Sequence, residues 1–128
     1  MKKYLVIGNP IEHSLSPKLH NRWIKENNID AVYDKKQLNE SEIKEIVGEV
    51  KKEKINGINV TVPFKKSVIP FLDQLTPLAD ETQSVNTIFR KDITDFLNGT
   101  VTFIPFILSL LTCSIIPGIS FSLSSSLS

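Results

Sequence analysis

Apolar and polar positions alternate in blocks along the first ninety residues. Tyr4-Leu5-Val6-Ile7 is a continuous apolar run closed by Gly8-Asn9-Pro10, the pattern of a buried strand. Asn9 to Leu15 reads as a loop. Ser16-Pro17 predicts a helix start, with Ser16 as N-cap and Pro17 at the first helical position. Leu19, Trp23 and Ile24 follow at helical spacing and read as core, and Asn27-Asn28 suits the helix end. Ala31-Val32-Tyr33 predicts a second strand. Asn39 and Glu42 have the spacing of a capping box. Ile43, Ile46, Val47 and Val50 then form an amphipathic stripe opposite a solvated Lys/Glu face. Ile58-Asn59-Val60-Thr61-Val62 alternates and predicts a third strand, stopped by Pro63. Ser67 to Leu72 reads as a short helix or turn, and Leu78 to Thr82 as a further helical turn. Val85 to Phe89 alternates again, a fourth strand.

Strands alternating with helices predict an α/β domain with a mostly parallel sheet flanked by helices. Ligands of such sheets bind at the carboxyl ends of the strands. Ser14 and Ser16 follow the first strand, Thr61 and Lys65 end the third, and Asn86-Thr87 lie in the fourth.

Composition adds one large feature. Net charge is +1, so nothing recruits nucleic acid or an acidic membrane surface. All 15 Lys and Arg and all 14 Asp and Glu lie at or before Asp95. The rest of the 128-residue chain is uncharged, and eight of its 13 serines fall in the last 20 residues. The five glycines are too dispersed for a nucleotide-binding fingerprint. The single Cys113 excludes an intrachain disulfide or a cysteine-based zinc site, and His13 and His20 alone do not make a metal site. Both histidines read as structural or solvent-facing. The apolar run after Met1-Lys2-Lys3 is too short for a secretory signal, and the charged part reads as cytoplasmic.

Each candidate residue has two readings. Lys65 follows a strand end, where Pro63 and Phe64 stiffen the approach and partly desolvate its ammonium. Such a group can exchange a proton near neutrality. It can equally be a surface lysine beside Lys66. Asn59, Thr61 and Asn86 suit a polyhydroxylated ligand, because amides and hydroxyls donate and accept. They can equally be outward-facing strand residues. Ser14 and Ser16 stand before a helix N-terminus that could hold a carboxylate or phosphate, or Ser16 caps the helix and no more.

Four stretches together carry a resemblance. They are Val6 to Ile11 with His13-Ser14-Leu15-Ser16-Pro17, Asn59 to Lys65, Leu75 to Ala79, and Ser84 to Thr87. In order and spacing they resemble the N-terminal substrate-binding domain of shikimate dehydrogenase, over about residues 1–91. The resemblance implies NADPH-dependent reduction of 3-dehydroshikimate to shikimate, in aromatic amino-acid biosynthesis. It implies that Ser14 and Ser16 hold the substrate carboxylate and that Asn59, Thr61 and Asn86 bind its hydroxyls. It makes Lys65 the catalytic proton donor and acceptor. Shikimate and quinate are not distinguished, and a homodimer stays open.

Beyond Lys91 the pattern departs from the family. The family's Asn-Thr-Asp segment has no counterpart, since Thr94-Asp95 comes too soon after Asn86. Residues 92–128 therefore read as a tail, uncharged after Asp95, without the nucleotide-binding domain. The expectation is a single truncated substrate-binding domain that binds substrate weakly and turns over little. Val101 to Ile119 is 19 residues with no charge, so a membrane anchor is one reading of the tail. A shifted reading frame or a chimeric gene is the other, and is favoured. Two rival functions stand beside the enzyme: a non-catalytic module binding shikimate-like acids, and a membrane-tethered interaction protein.

Overall fold

The structure, a computed structural model, describes residues 1–90 and 121–124. The chain opens with β1 (Lys2–Gly8), α1 (Ser16–Glu26) and β2 (Ala31–Gln37). A 3₁₀ turn (Glu40–Glu42) leads into α2 (Ile43–Lys51), followed by β3 (Gly57–Val60). A second 3₁₀ turn (Ile69–Phe71), β4 (Gln74–Leu75), α3 (Pro77–Thr82) and β5 (Thr87–Arg90) come next, and β6 is Phe121–Ser124. The strands form one sheet in the order β2-β1-β3-β5-β6-β4. The pairings β1·β2, β1·β3 and β5·β6 are parallel. Those of β3·β5 and β4·β6 are antiparallel, so the α/β sheet is mixed. The expected tail anchor, Val101 to Ile119, lies outside the described residues. Among the described residues no helix is long and apolar enough to cross a membrane.

Successive side chains of a strand point to opposite faces, and here both faces are covered. One face carries the larger core, in which Ile7, Ile58, Val60 and Ile88 of the sheet meet Ile43, Ile46, Val47 and Val50 of α2. The four α2 residues are at most 2% exposed, so the helical stripe is the buried face. The Asn39 N–H donates to Glu42 Oε2 at 2.6 Å, the return bond of the capping box. The other face carries a smaller cluster of Tyr4, Val6, Ile11, Ile24 and Tyr33. It lies under α1 and is the more polar of the two.

Helix α1 corrects two expectations. Leu15, not Ser16, is the N-cap residue, and it makes no side-chain cap bond. The Ser14 hydroxyl accepts the Ser16 N–H at 3.3 Å instead, so capping comes from one residue earlier and Ser16 joins the first turn. The buried face of the helix is His20 and Ile24. Leu19 is exposed and Trp23 half-buried, because the His20 ring takes the inward position. That ring stacks on Tyr33 with centroids 4.2 Å apart and planes 13° from parallel. Trp23 meets its edge at 5.6 Å.

Strand boundaries shift by a few residues. β3 ends at Val60, where Thr61 turns the chain and Phe64 N–H bonds to Thr61 O at 2.9 Å. Pro63 brings no N–H to prolong the ladder. β5 begins at Thr87 rather than Val85, because Val85 N–H is given to Lys65 O at 2.9 Å. Thr76 Oγ1 accepts the Ala79 N–H at 3.2 Å and caps α3, and Gln83 closes it in the left-handed region at φ 52°.

Candidate functional site

The polar residues singled out by the sequence gather where β1 and β3 end. Ser14 and Ser16 lie in the loop and first turn after β1, both half-buried. The Ser14 N–H is fixed on Ile11 O at 3.0 Å, and Ser14 Oγ accepts the Ser16 N–H. That hydroxyl therefore keeps its proton to donate to an oxygen placed before α1, beside the positive end of the helix dipole.

Thr61 follows β3. Both its N–H and its Oγ1–H are given to Ile7 O, at 2.9 and 2.7 Å. With the hydroxyl proton committed to the backbone, Thr61 Oγ1 offers a ligand only its lone pairs. It therefore suits a ligand hydroxyl that donates. Gly8 makes this approach possible. A Cβ at Gly8 would lie 2.2 Å from Thr61 Oγ1 and 3.3 Å from the Val62 carbonyl oxygen.

Lys65 is half-buried, whereas its neighbour Lys66 is exposed. Lys65 Nζ donates to Asn86 Oδ1 at 2.9 Å, and its carbonyl holds the Val85 N–H. Asn86, only 5% exposed, also gives its carbonyl to Val60 N–H at 2.8 Å. The lysine is thus fastened at both ends to one dipeptide. Its side-chain partner is a neutral amide, and among the described residues Lys65 makes no ion pair. A cation held by a neutral acceptor keeps its charge and further N–H donors for a ligand oxygen.

Asn59 is a different case. Strand alternation allowed it to face solvent, yet it is 4% exposed. Tyr33 OH donates to Asn59 Oδ1 at 2.7 Å, and Asn59 Nδ2 donates to Thr87 Oγ1 at 3.3 Å. Asn59 and Thr87 are opposite partners in the antiparallel β3·β5 ladder. His20 Nδ1 lies 3.0 Å from Ser16 O. A carbonyl only accepts, so Nδ1 bears the proton. Burial lowers the His20 pKa to about 4, which keeps the ring neutral at pH 7. The Tyr33 hydroxyl is pushed up by burial in the same cluster.

His20 and Tyr33 were not among the expected site residues, and Thr87 was singled out only beside Asn86, with no role of its own. His20 stands among polar Lys18, Asn21 and Arg22, so nothing local marked it as buried, whereas Tyr33 closes the apolar run from Ala31 and Thr87 precedes Ile88-Phe89. His13, by contrast, is exposed.

Comparison with known proteins matches residues 6–88 to the family described as shikimate dehydrogenase substrate binding domain. The chain is 59% identical over 91 residues to a shikimate dehydrogenase (NADP(+)) of Pelagibacter ubique strain HTCC1062. That match takes in 71% of this chain and 34% of the relative. Among solved structures, the shikimate 5-dehydrogenase of Listeria monocytogenes, in complex with shikimate and NAD, is similar with a TM-score of 0.68 at 33% identity. It covers 72% of this chain and 32% of that one. The shikimate dehydrogenase of Aquifex aeolicus gives 0.67 at 37% identity, over 82% of this chain and 43% of that one. The chain spans about a third of the length of the curated relatives it matches.

Proposed function

The chain belongs to the family of shikimate dehydrogenase substrate-binding domains, and on that premise we propose that it binds a hydroxylated carboxylic acid of the shikimate class. In this reading the Ser14 hydroxyl, with Ser16 and the start of α1, receives the ligand carboxylate. Thr61 Oγ1 accepts from a ligand hydroxyl. Lys65 stands at the reacting oxygen, where it gives a proton as a ketone becomes an alcohol and takes one back in reverse. Asn86 Oδ1 keeps the nitrogen aimed in both charge states. The observation that carries this reading is the 2.9 Å bond from Lys65 Nζ to Asn86, beside the carboxyl end of β3.

The relatives carry NADP(+) in their name. The described residues do not fit a dinucleotide. Gly8, Gly48 and Gly57 stand in three separate elements, and the bare Cα of Gly8 is filled by Thr61 rather than opening onto a helix start. No hydride step is therefore assigned to these residues. That misfit favours binding with little turnover by the 128-residue chain. Two measurements test the proposal. Calorimetric titration with shikimate is expected to give saturable binding that Lys65→Met weakens. An assay of NADPH oxidation with 3-dehydroshikimate is expected to give a rate near background. Absence of binding at millimolar shikimate overturns the ligand assignment. Robust Lys65-dependent oxidation overturns the expectation of little turnover.

A further inference from the structure

We propose that Tyr33 is a positioning residue for the ligand site, acting through the side chain of Asn59; this rests on the shikimate-class reading above. Tyr33 sits on β2, two strands from β3, and its register partner on β1 is Tyr4. Its ring therefore reaches across β1 to place the hydroxyl 2.7 Å from Asn59 Oδ1. That bond occupies the acceptor end of the amide and turns the NH₂ end toward Thr87 Oγ1. Thr87 adjoins Asn86, which holds Lys65 Nζ. The orientation of the Asn59 amide is thus set from behind the site, on the floor between β3 and β5.

The tyrosine is itself held on three sides. Asn21 of α1 brackets its backbone, accepting the Tyr33 N–H at 2.9 Å and donating to Tyr33 O at 2.7 Å. The His20 ring lies flat on the tyrosine ring. His20 in turn bonds to Ser16 O. A continuous path therefore runs from half-buried Ser16, at the proposed carboxylate end of the site, through buried His20, Tyr33 and Asn59 to Thr87 and the Lys65–Asn86 pair. Side chains confined on every side lose little freedom when a ligand arrives, and buried polar chains of this kind specify one arrangement. Without the Tyr33 hydroxyl, Oδ1 loses a donor and the opposite amide orientation becomes competitive.

The test compares the full chain with Tyr33→Phe, Asn59→Ala and the double variant. Tyr33→Phe is expected to weaken shikimate binding, read by calorimetry, roughly three- to tenfold, about the effect of one hydrogen bond. In the Asn59→Ala background the same change is expected to alter affinity less than about twofold, because the group it acts through is gone. A structural effect alone would weaken both backgrounds equally, and that result overturns the proposal. A ligand-free measurement stands beside it. In ¹⁵N spectra of the chain, Tyr33→Phe is expected to move the Asn59 side-chain NH₂ signals. Unmoved signals overturn the positioning role. If the wild-type chain binds no shikimate, the ligand assignment fails, and the spectra alone decide whether Tyr33 orients Asn59.

Discussion

Replacing Gly8 by alanine perturbs the site through a single methyl group. The new Cβ would stand 2.2 Å from Thr61 Oγ1, where real contacts essentially never fall under 3.0 Å, so about 0.8 Å must be found. The methyl cannot retreat, because Val62 O is 3.3 Å away and Ile11 Cδ1 3.0 Å away. Thr61 must therefore rotate, and rotation breaks its 2.7 Å bond to Ile7 O. Ile7 O keeps the Thr61 N–H at 2.9 Å, so the carbonyl is not orphaned and the lost bond costs about 1 kcal/mol. Residual crowding against the backbone brings the expected destabilisation to roughly 1–3 kcal/mol. Urea titration measures it on Gly8→Ala, Thr61→Ala and the pair. If the clash is with Oγ1, the double variant is more stable than the sum of the single effects predicts. Shikimate affinity is expected to fall about tenfold with Gly8→Ala, since the acceptor lone pairs turn away with the hydroxyl. A Gly8→Ala chain within about 0.5 kcal/mol of wild type, with no coupling to Thr61, refutes the reasoning.

Acid is expected to destabilise the fold through His20. Its pKa is about 4 when folded and 6.5 when unfolded, so between those values the unfolded chain binds the extra proton. Stability is complete above pH 6.5 and is lost as pH falls toward 4, by up to about 3 kcal/mol for this 1%-exposed ring. Urea midpoints from pH 7 to 4 check this, and a slope unchanged by His20→Gln refutes it. Lys65→Met is expected to weaken shikimate binding roughly ten- to a hundredfold by removing one charge-assisted donor, while the urea midpoint stays near wild type. A large stability loss would make the lysine structural instead. Ile46→Ala, at a 2%-exposed position under the sheet, is expected to cost about 2–5 kcal/mol in the same titration. A cost under about 1 kcal/mol would mean that α2 does not seal the larger core. Thr76→Ala removes the cap bond to Ala79 and is expected to cost about 1 kcal/mol, with shikimate affinity unmoved.

Local elements were legible where a local pattern decides them. The stripe Ile43, Ile46, Val47, Val50 has helical period and a charged opposite face, and α2 buries those four residues. The run from Tyr4 to Ile7 lies within β1. What stayed hidden depends on distant partners. The antiparallel direction of β5 shows only in its ladder with β3, where Asn59 faces Thr87, 28 residues apart in sequence. The inward face of α1 was misjudged for the same reason. Leu19 is more apolar than His20, yet the helix turns His20 inward, because Tyr33 supplies a flat ring and Ser16 O an acceptor for its proton.

Asn59 shows most clearly where periodicity stops. Alternation in Ile58-Asn59-Val60 correctly separates Asn59 from Ile58 and Val60, which enter the larger core. It says which side a residue takes, but not what covers that side. Here the cover is α1, whose His20 braces the Tyr33 ring, so a position that could have met water is 4% exposed. A polar strand residue on a covered face must find protein partners or lose its hydrogen bonds. Asn59 finds Tyr33 and Thr87, and Asn86 finds Lys65 and the Val60 N–H. The burial that defeats the solvent-facing reading is therefore also what holds these amides still, as the proposed ligand site requires.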